Sequence, residues 1–317
     1  MIDKIKSYFV FFFFIASLCF GQYSWAQDKY PSKPIQLIIP WGPSGGSDQT
    51  GRLIANQLEQ ELKISVPVIN MPGATGNIGM QKLLSDPADG QTLLLLAWDN
   101  FALLATQQPK WKIDDFINLG IVIQLPSGLY VSGDKFNNWK SFEQAAKNSP
   151  VSIAISGLGS TDDITMSYLQ SKGLKINVIP YAKPGERYAA LIGGHVDALY
   201  SPAGNVASFV ESKQMRPIIF FSAERLNDFK EIPTSKEVGY NVTLPQRRAL
   251  IIKAGTDPAK IAVISQALNK IVNLPKYKAY LKDSFASEKS YVPQSDTLVV
   301  MNQDLEEMQK ILKNINK

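Results

Sequence analysis

The sequence predicts an α/β protein of two lobes, each a mostly parallel sheet flanked by helices, and three observations carry that reading. Short β-like runs alternate with helical periodicity almost throughout the chain. The pattern starts again after Pro126, and a length of 317 residues suits two domains better than one. A hydrophobic content of 45% over that length is enough to bury a sizeable core, which excludes a disordered chain.

In the first half, Ile35 to Pro40 predicts a buried strand, and Leu53, Ile54, Leu58 and Leu62 mark one face of a helix. Val66 to Ile69 is a second strand, followed by a Gly-rich turn and a short helix through Leu83 and Leu84; Thr92 to Ala97 is a third strand. In the second half, strands are expected at Tyr130 and Val131, Val151 to Ile155, Val178 and Ile179, Ala198 to Tyr200, and Pro217 to Phe221. Helices fall between them near residues 141–148, 162–172, 186–193 and 204–213. Ala249 to Lys253 reads as another strand, and Asp257-Pro258 then starts a helix carried on by Ile261, Ile264, Leu268 and Ile271. A longer final helix bears Leu298, Met301, Leu305, Met308 and Leu312. Pro126-Ser127-Gly128 and Pro245 interrupt the pattern. We therefore expect a discontinuous first lobe of residues 27–126 plus 249–317 and a second lobe of 127–248.

The first 26 residues have the layout of a secretory signal. Lys4 and Lys6 precede an apolar stretch from Phe9 to Phe20, and Ser24-Trp25-Ala26 places small residues where a signal peptidase inspects them. About 12 apolar residues fall short of the roughly 20 that a spanning helix needs. Leu18 is bulkier than the residue a lipoprotein cleavage site prefers before its cysteine, here Cys19. Cleavage after Ala26 is expected to give an exported protein and to remove the only cysteine, so no disulfide framework or thiol chemistry is available to it. A single histidine excludes a multi-histidine metal site, and no cofactor is expected. A formal charge of +5 without a long basic run does not call for nucleic acid, yet suits a small anion.

Four strand ends run into turns rich in Gly, Ser and Thr. Pro40 to Asp48 contains Ser44, Gly45, Gly46 and Ser47 at the start of a helix, where glycines allow close backbone approach and free N–H groups receive a carboxylate or phosphate. Ser47 or Asp48 alternatively caps that helix, and Asp48, itself an anion, is better suited to orient the loop than to touch an acid. Ile155-Ser156-Gly157-Leu158-Gly159-Ser160-Thr161-Asp162 repeats the same order in the second half. Tyr181 to Gly185 and Ser201 to Asn205 complete a ring of strand-end loops, where open α/β sheets bind ligands. Ordinary turn chemistry favours the same residue types.

Two other chemistries have local patterns in the chain. Gly73-Ala74-Thr75-Gly76-Asn77-Ile78-Gly79 imitates a dinucleotide fingerprint, but it follows the second strand and opens a helix of about two turns. Gly42-Pro43-Ser44-Gly45-Gly46 fits a hydrolase nucleophile elbow, which would make the chain a secreted serine hydrolase with Ser44 as nucleophile and His195 as its base. His195 lies at a helix end leading into a strand, where a surface or capping role is the commoner one.

Several stretches, in order, resemble the substrate-binding proteins of tripartite tricarboxylate transporters, the TctC or Bug family. They are Tyr30 to Ile35, Pro40 to Asp48 with Arg52, Pro72-Gly73-Ala74 with Gly76-Asn77-Ile78-Gly79, and Asp89-Gly90 before Thr92-Leu93-Leu94. Ser156 to Ser160, Pro180-Tyr181, Leu191 to Gly194 with Val196-Asp197, Ile232-Pro233-Thr234 and Ala254-Gly255-Thr256 extend the likeness over nearly the whole chain. It implies a two-lobed, type II-like periplasmic binding protein fold with a ligand cleft between the lobes. The protein would act, expected as a monomer, by passing a small carboxylate to membrane components of such a transporter.

The resemblance also implies which residues hold the ligand: Ser44, Gly45, Gly46, Ser47 and Asp48 on one side, and Ser156, Gly159, Ser160 and Thr161 on the other, with Asn77 and Tyr181 as second choices. The chain departs from the pattern at Trp98 and Asp99, at Asp162 and Asp163, and at Ser201, where an acid is common. If the acids line the pocket, they disfavour a polyanion and favour an amine-bearing or singly charged ligand; an organic, amino or aromatic acid all fit. Trp98 either stacks on a ligand ring or is a core aromatic, and the Asp pair is either functional or a helix-start charge.

Overall fold

The computed structural model describes residues 30–133 and 135–315. The expected signal segment, with Cys19 and the cleavage site after Ala26, lies outside them. No described helix is long and apolar enough to cross a membrane.

Along the chain, β1 (Gln36–Ile39) leads to α1 (Gly46–Leu62), β2 (Val68–Asn70), α2 (Asn77–Ser85) and β3 (Thr92–Ala97). β1 pairs in parallel with both other strands, Leu37 facing Val68 on one side and Leu93 on the other. β3 is buried along its whole length, as its unbroken leucine run requires. Two single-turn helices, α3 (Trp98–Phe101) and α4 (Leu103–Thr106), then precede β4 (Phe116–Leu125), a strand the sequence pattern did not single out. Asn118, Gly120 and Gln124 break its apolar run.

Only Pro126 separates β4 from β5 (Ser127–Val131), which belongs to another sheet. That sheet continues through α5 (Trp139–Asn148), β6 (Val151–Ile155), α6 (Thr161–Ser171), β7 (Ile176–Pro180), α7 (Pro184–Ile192), β8 (Ala198–Pro202), α8 (Ala207–Glu211) and β9 (Arg216–Phe220). The chain returns to the first sheet as β10 (Gln246–Lys253), three residues before the expected Ala249. It closes with α9 (Pro258–Ile271), α10 (Pro275–Asp283), β11 (Val292–Pro293) and α11 (Gln294–Ile315). Asp257 caps α9 by accepting from the Ala259 N–H at 2.8 Å, with Pro258 in the first turn as expected.

The strand orders are β11-β4-β10-β3-β1-β2 and β7-β6-β8-β5-β9. The two α/β layers are those the sequence predicts; the sheets are mixed rather than mostly parallel. β10 runs antiparallel to β3 and β4, and β5 antiparallel to β8 and β9. These are the strands by which the chain enters each sheet from the other, and antiparallel neighbours need no helical crossover. One apolar cluster joins the sheets, with Leu94 and Ile251 from the first and Ile153 and Tyr200 from the second, alongside Met301 and Met308 of α11. Separate clusters line the outer face of each, around Ile54 and Leu268 in the first and Leu199 and Phe220 in the second.

Candidate functional site

The strand-end loops of both sheets meet at a small cavity of about 40 Å³, space on the scale of a single water. Gly45, Gly46, Ser47, Asp99, Gln246 and Arg248 line it from the first sheet's side, and Ser156, Asp162, Pro184, Arg187, Pro202 and Asn205 from the second's. Direct bonds hold the two sides together. Thr75 Oγ1 and Gln107 Nε2 donate to the Leu158 carbonyl at 2.8 and 3.2 Å, and Thr106 Oγ1 donates to the Gly159 carbonyl at 2.9 Å. Gly159 takes the left-handed conformation (φ 76°) that turns its carbonyl to that partner.

The first loop is shaped by Asp48. Its carboxylate accepts from the Ser44 N–H at 3.0 Å, from Arg52 Nε at 2.9 Å and from Asn70 Nδ2 at 2.9 Å. Burial pushes its pKa up, but the bonds from Arg52, Asn70 and Ser44 outweigh it and leave the group below its ordinary value. Asp48 is thus an anchor behind the loop, with Gly45 and Gly46 presented to the cavity at the start of α1.

The opposite loop is held by a second buried acid. Asp162 accepts from the Ser156 N–H at 2.9 Å and Ser156 Oγ at 2.7 Å, and faces Arg187 Nη1 at 3.6 Å. Thr161 Oγ1 donates to Asp99 Oδ1 at 2.6 Å; Gln246 Nε2 donates to Asp99 Oδ1 at 2.7 Å and Asp162 Oδ1 at 3.1 Å, and contacts Thr161 Oγ1. Burial, then the Asp99 charge, push the Asp162 pKa from 3.8 to about 7, against the pull of Arg187 and Ser156. Folding therefore raises this group's proton affinity, so the folded chain holds more protons than the unfolded one between about pH 4 and about pH 7. Stability from this site falls as pH rises through that window. Asp162→Asn removes the ionisation, and its melting temperature is expected to decline less than wild type from about pH 5 to about pH 8. Parallel melting curves for the two proteins would contradict the assignment.

Two buried guanidinium groups complete the wall. Arg248 on β10 donates through Nη1 to Thr50 Oγ1 at 2.8 Å and through Nη2 to Asn205 Oδ1 at 2.9 Å, spanning the two sides. It makes no ion pair among the described residues. Arg187, one turn into α7, is only 5% exposed, and its Nε finds no hydrogen-bond partner among the described residues.

Of the residues singled out from sequence, Gly45, Gly46, Ser47, Ser156, Asp99 and Asp162 line the cavity. Ser44 is exposed outside it, with its N–H turned to Asp48. Ser160 caps α6, accepting from the Asp163 N–H at 3.2 Å, and the Gly159 N–H donates to Asp163 Oδ2 at 2.7 Å. Thr161 sits one bond behind, on Asp99. Asn77 faces away, accepting from Trp111 Nε1 at 2.9 Å, and Tyr181 packs half-buried against the second sheet's outer cluster. Ser201 is fully buried, its hydroxyl turned to the Pro202 carbonyl at 3.2 Å. Trp98 belongs to the core: its indole N–H donates to Asp304 at 2.7 Å.

Asn205 ends the expected loop of Ser201 to Asn205, but Arg187, Arg248 and Gln246 were not selected from sequence. Their one visible signal is Gln246-Arg247-Arg248 set at the entrance of an otherwise apolar strand. The hydrolase alternative fails on placement. Ser44 and His195 are both exposed, neither lines the cavity, and His195 rests beside Gly193 at the end of α7.

Two α/β lobes closed over a polar cavity built from the loops of both define a bilobal ligand receptor. The chain belongs to the tripartite tricarboxylate transporter family receptors, TctC, whose profile matches residues 50–317. It is 31% identical over 262 residues to a Cupriavidus necator protein called UPF0065 protein in gbd 5'region, covering 80% of this chain and 79% of that one. A solved TctC solute binding protein from Polaromonas, without ligand, is 27% identical with a TM-score of 0.66, covering 90% of this chain and 99% of its own. A structure of R. palustris Rpa4515 with adipate shares the fold, with a TM-score of 0.84 at 19% identity over 90% of this chain and 98% of that one. The protein is accordingly a periplasmic solute receptor of a transport system and not an enzyme.

Proposed function

We propose that this receptor closes its lobes on a small carboxylate and delivers it to the membrane components of a tripartite tricarboxylate transporter. The observation that carries the reading is Arg187, a buried guanidinium in the cavity wall whose Nε lacks a partner. A buried charged donor without an acceptor is costly, and a carboxylate supplies what it lacks. The adipate held by the structural neighbour from R. palustris is of the same chemical class. Gly45, Gly46 and Ser47 on one side, with Ser156 on the other, are the lining residues of the two anchoring loops.

A cavity of about 40 Å³ cannot hold a dicarboxylate, so the lobes must part to admit one. On reclosing, ligand oxygens substitute for cross-lobe bonds such as Gln246 to Asp162. The bodies expected from sequence are residues 27–126 with 249–317, and 127–248; the strand pairing supports a crossing at Pro126 and, with β10 wholly in the first sheet, favours moving the second crossing to just before Gln246, so that Gln246 and Arg248 travel with the first body. We further infer export through a signal cleaved after Ala26 and action as a monomer.

A thermal-shift screen over mono-, di- and tricarboxylates tests the reading. A ligand at 100 times its dissociation constant is expected to stabilise the protein by about 2.7 kcal/mol. Stabilisation by a neutral sugar or a cation, with every carboxylate silent, would remove its basis.

A further inference from the structure

We propose that the ligand is a short aminocarboxylate, a zwitterion whose carboxylate sits on Arg187 and whose ammonium sits between Asp99 and Asp162. The inference rests on the small-carboxylate reading and narrows it.

The cavity wall carries both signs of charge. Arg187 and Arg248 line the same cavity as Asp99 and Asp162. Arg187 lacks an acceptor at Nε, and its approach to Asp162 at 3.6 Å is too long for a good hydrogen bond. That is the unmet anion site.

The acidic side is short of donors. The Gln246 amide nitrogen has two hydrogens but lies within reach of three oxygens: Asp99 Oδ1, Asp162 Oδ1 and Thr161 Oγ1. Thr161 spends its own proton on Asp99. Neither acid has a lysine within ion-pair distance, and Asp99 forms no ion pair among the described residues. Burial accounts for most of the upward shift of the Asp162 pKa, and the neighbouring Asp99 charge adds to it. An ammonium brings three N–H donors and a positive charge to this spot, which a hydroxyl or methylene does not.

Spacing sets the length of the ligand. Asp162 touches both subsites, reaching the shared Gln246 amide through Oδ1 and facing Arg187 through Oδ2. The cationic and anionic groups of the ligand must therefore lie one or two carbons apart. A plain dianion would put a second carboxylate against Asp99 and Asp162, where like charges at a largely buried site repel.

Titration calorimetry on the purified protein with matched pairs tests this: glycine with acetate, L-alanine with propionate, and L-aspartate with succinate. In at least one pair the amino member is expected to bind tenfold or more tighter than its des-amino partner, and 6-aminohexanoate to bind more weakly than L-alanine. Asp99→Asn should shrink the amino preference to less than threefold, while Arg187→Gln should weaken both members of a pair alike. Equal or tighter binding of the des-amino members would overturn the aminocarboxylate and leave the carboxylate receptor standing. Silence of every member, with a sound thermal melt, would likewise overturn the aminocarboxylate, and the broader carboxylate reading then stands or falls by the thermal-shift screen.

Discussion

Gly45→Ala is expected to weaken ligand binding by about 5- to 150-fold while leaving the fold intact, because the added methyl group obstructs closure rather than folding. Gly45 has φ −86° and ψ 170°, a conformation open to alanine, so no backbone strain follows. Its Cβ would instead lie 2.5 Å from Pro184 Cγ across the cleft. A proline ring at the start of α7 cannot swing aside as a flexible side chain does, so the second lobe must retreat. That cost, about 1–3 kcal/mol for a forced overpacking, falls on the closed state alone and appears directly in the dissociation constant. Gly185→Ala is the control, since nothing lies within 4 Å of the added atom. Adding Pro184→Ala to Gly45→Ala removes the 2.5 Å contact and leaves only the Pro184 Cβ position, 3.3 Å away, so the double variant should regain most of the affinity. Small-angle scattering should show a larger radius for Gly45→Ala with ligand than for wild type with ligand. Unchanged affinity in Gly45→Ala would mean that the ligand is held in a more open form.

Much of this arrangement was legible in the sequence, and what was missed has a common cause. β3 and β6 have the bounds their apolar runs predicted, Thr92 to Ala97 and Val151 to Ile155, because strands buried on both faces read as unbroken hydrophobic stretches. β4 is equally central, yet Gly120 and the polar Asn118 and Gln124 hid it; Asn118 is satisfied by the Gly120 N–H at 3.0 Å and by Met301. The α10 helix escaped because only Tyr277 and Leu281 of its nine residues are buried. At the cavity, backbone-rich loops announced themselves by composition, and Gly45, Gly46, Ser47 and Ser156, expected from sequence, line it. Arg187, Arg248 and Gln246 were not singled out, because their meaning is long-range. Arg248 is defined by Thr50, 198 positions away, and Gln246 by Asp99, 147 positions away. No local spacing encodes such partners.

Trp98 tests the same distinction from the other direction, since its position after β3 suggested a stacking platform for a ligand ring. Trp98→Ala is expected to cost about 3–5 kcal/mol of stability, the range for truncating a large buried aromatic. The side chain is 0% exposed and packs against Phe101 with ring centroids 5.0 Å apart. Its indole N–H shares Asp304 with Arg247, whose Nε donates to the same oxygen at 2.7 Å. Asp304 lies on α11, so the contact fastens the end of the first sheet's central strand to the helix that packs on α6. Trp98→Phe keeps most of the ring volume and deletes the bond to a charged acceptor, for an expected loss of about 1.5–3 kcal/mol. Asp304→Asn should lose less on the Trp98→Phe background than in wild type, because part of its contribution is already gone. Ligand affinity is the discriminating measurement. A core residue should leave the dissociation constant of Trp98→Phe within about twofold of wild type, as expected of a site outside the cavity wall. A stacking residue would reverse the pattern, with stability nearly kept and affinity for aromatic acids selectively lost, and that result would return Trp98 to the binding site.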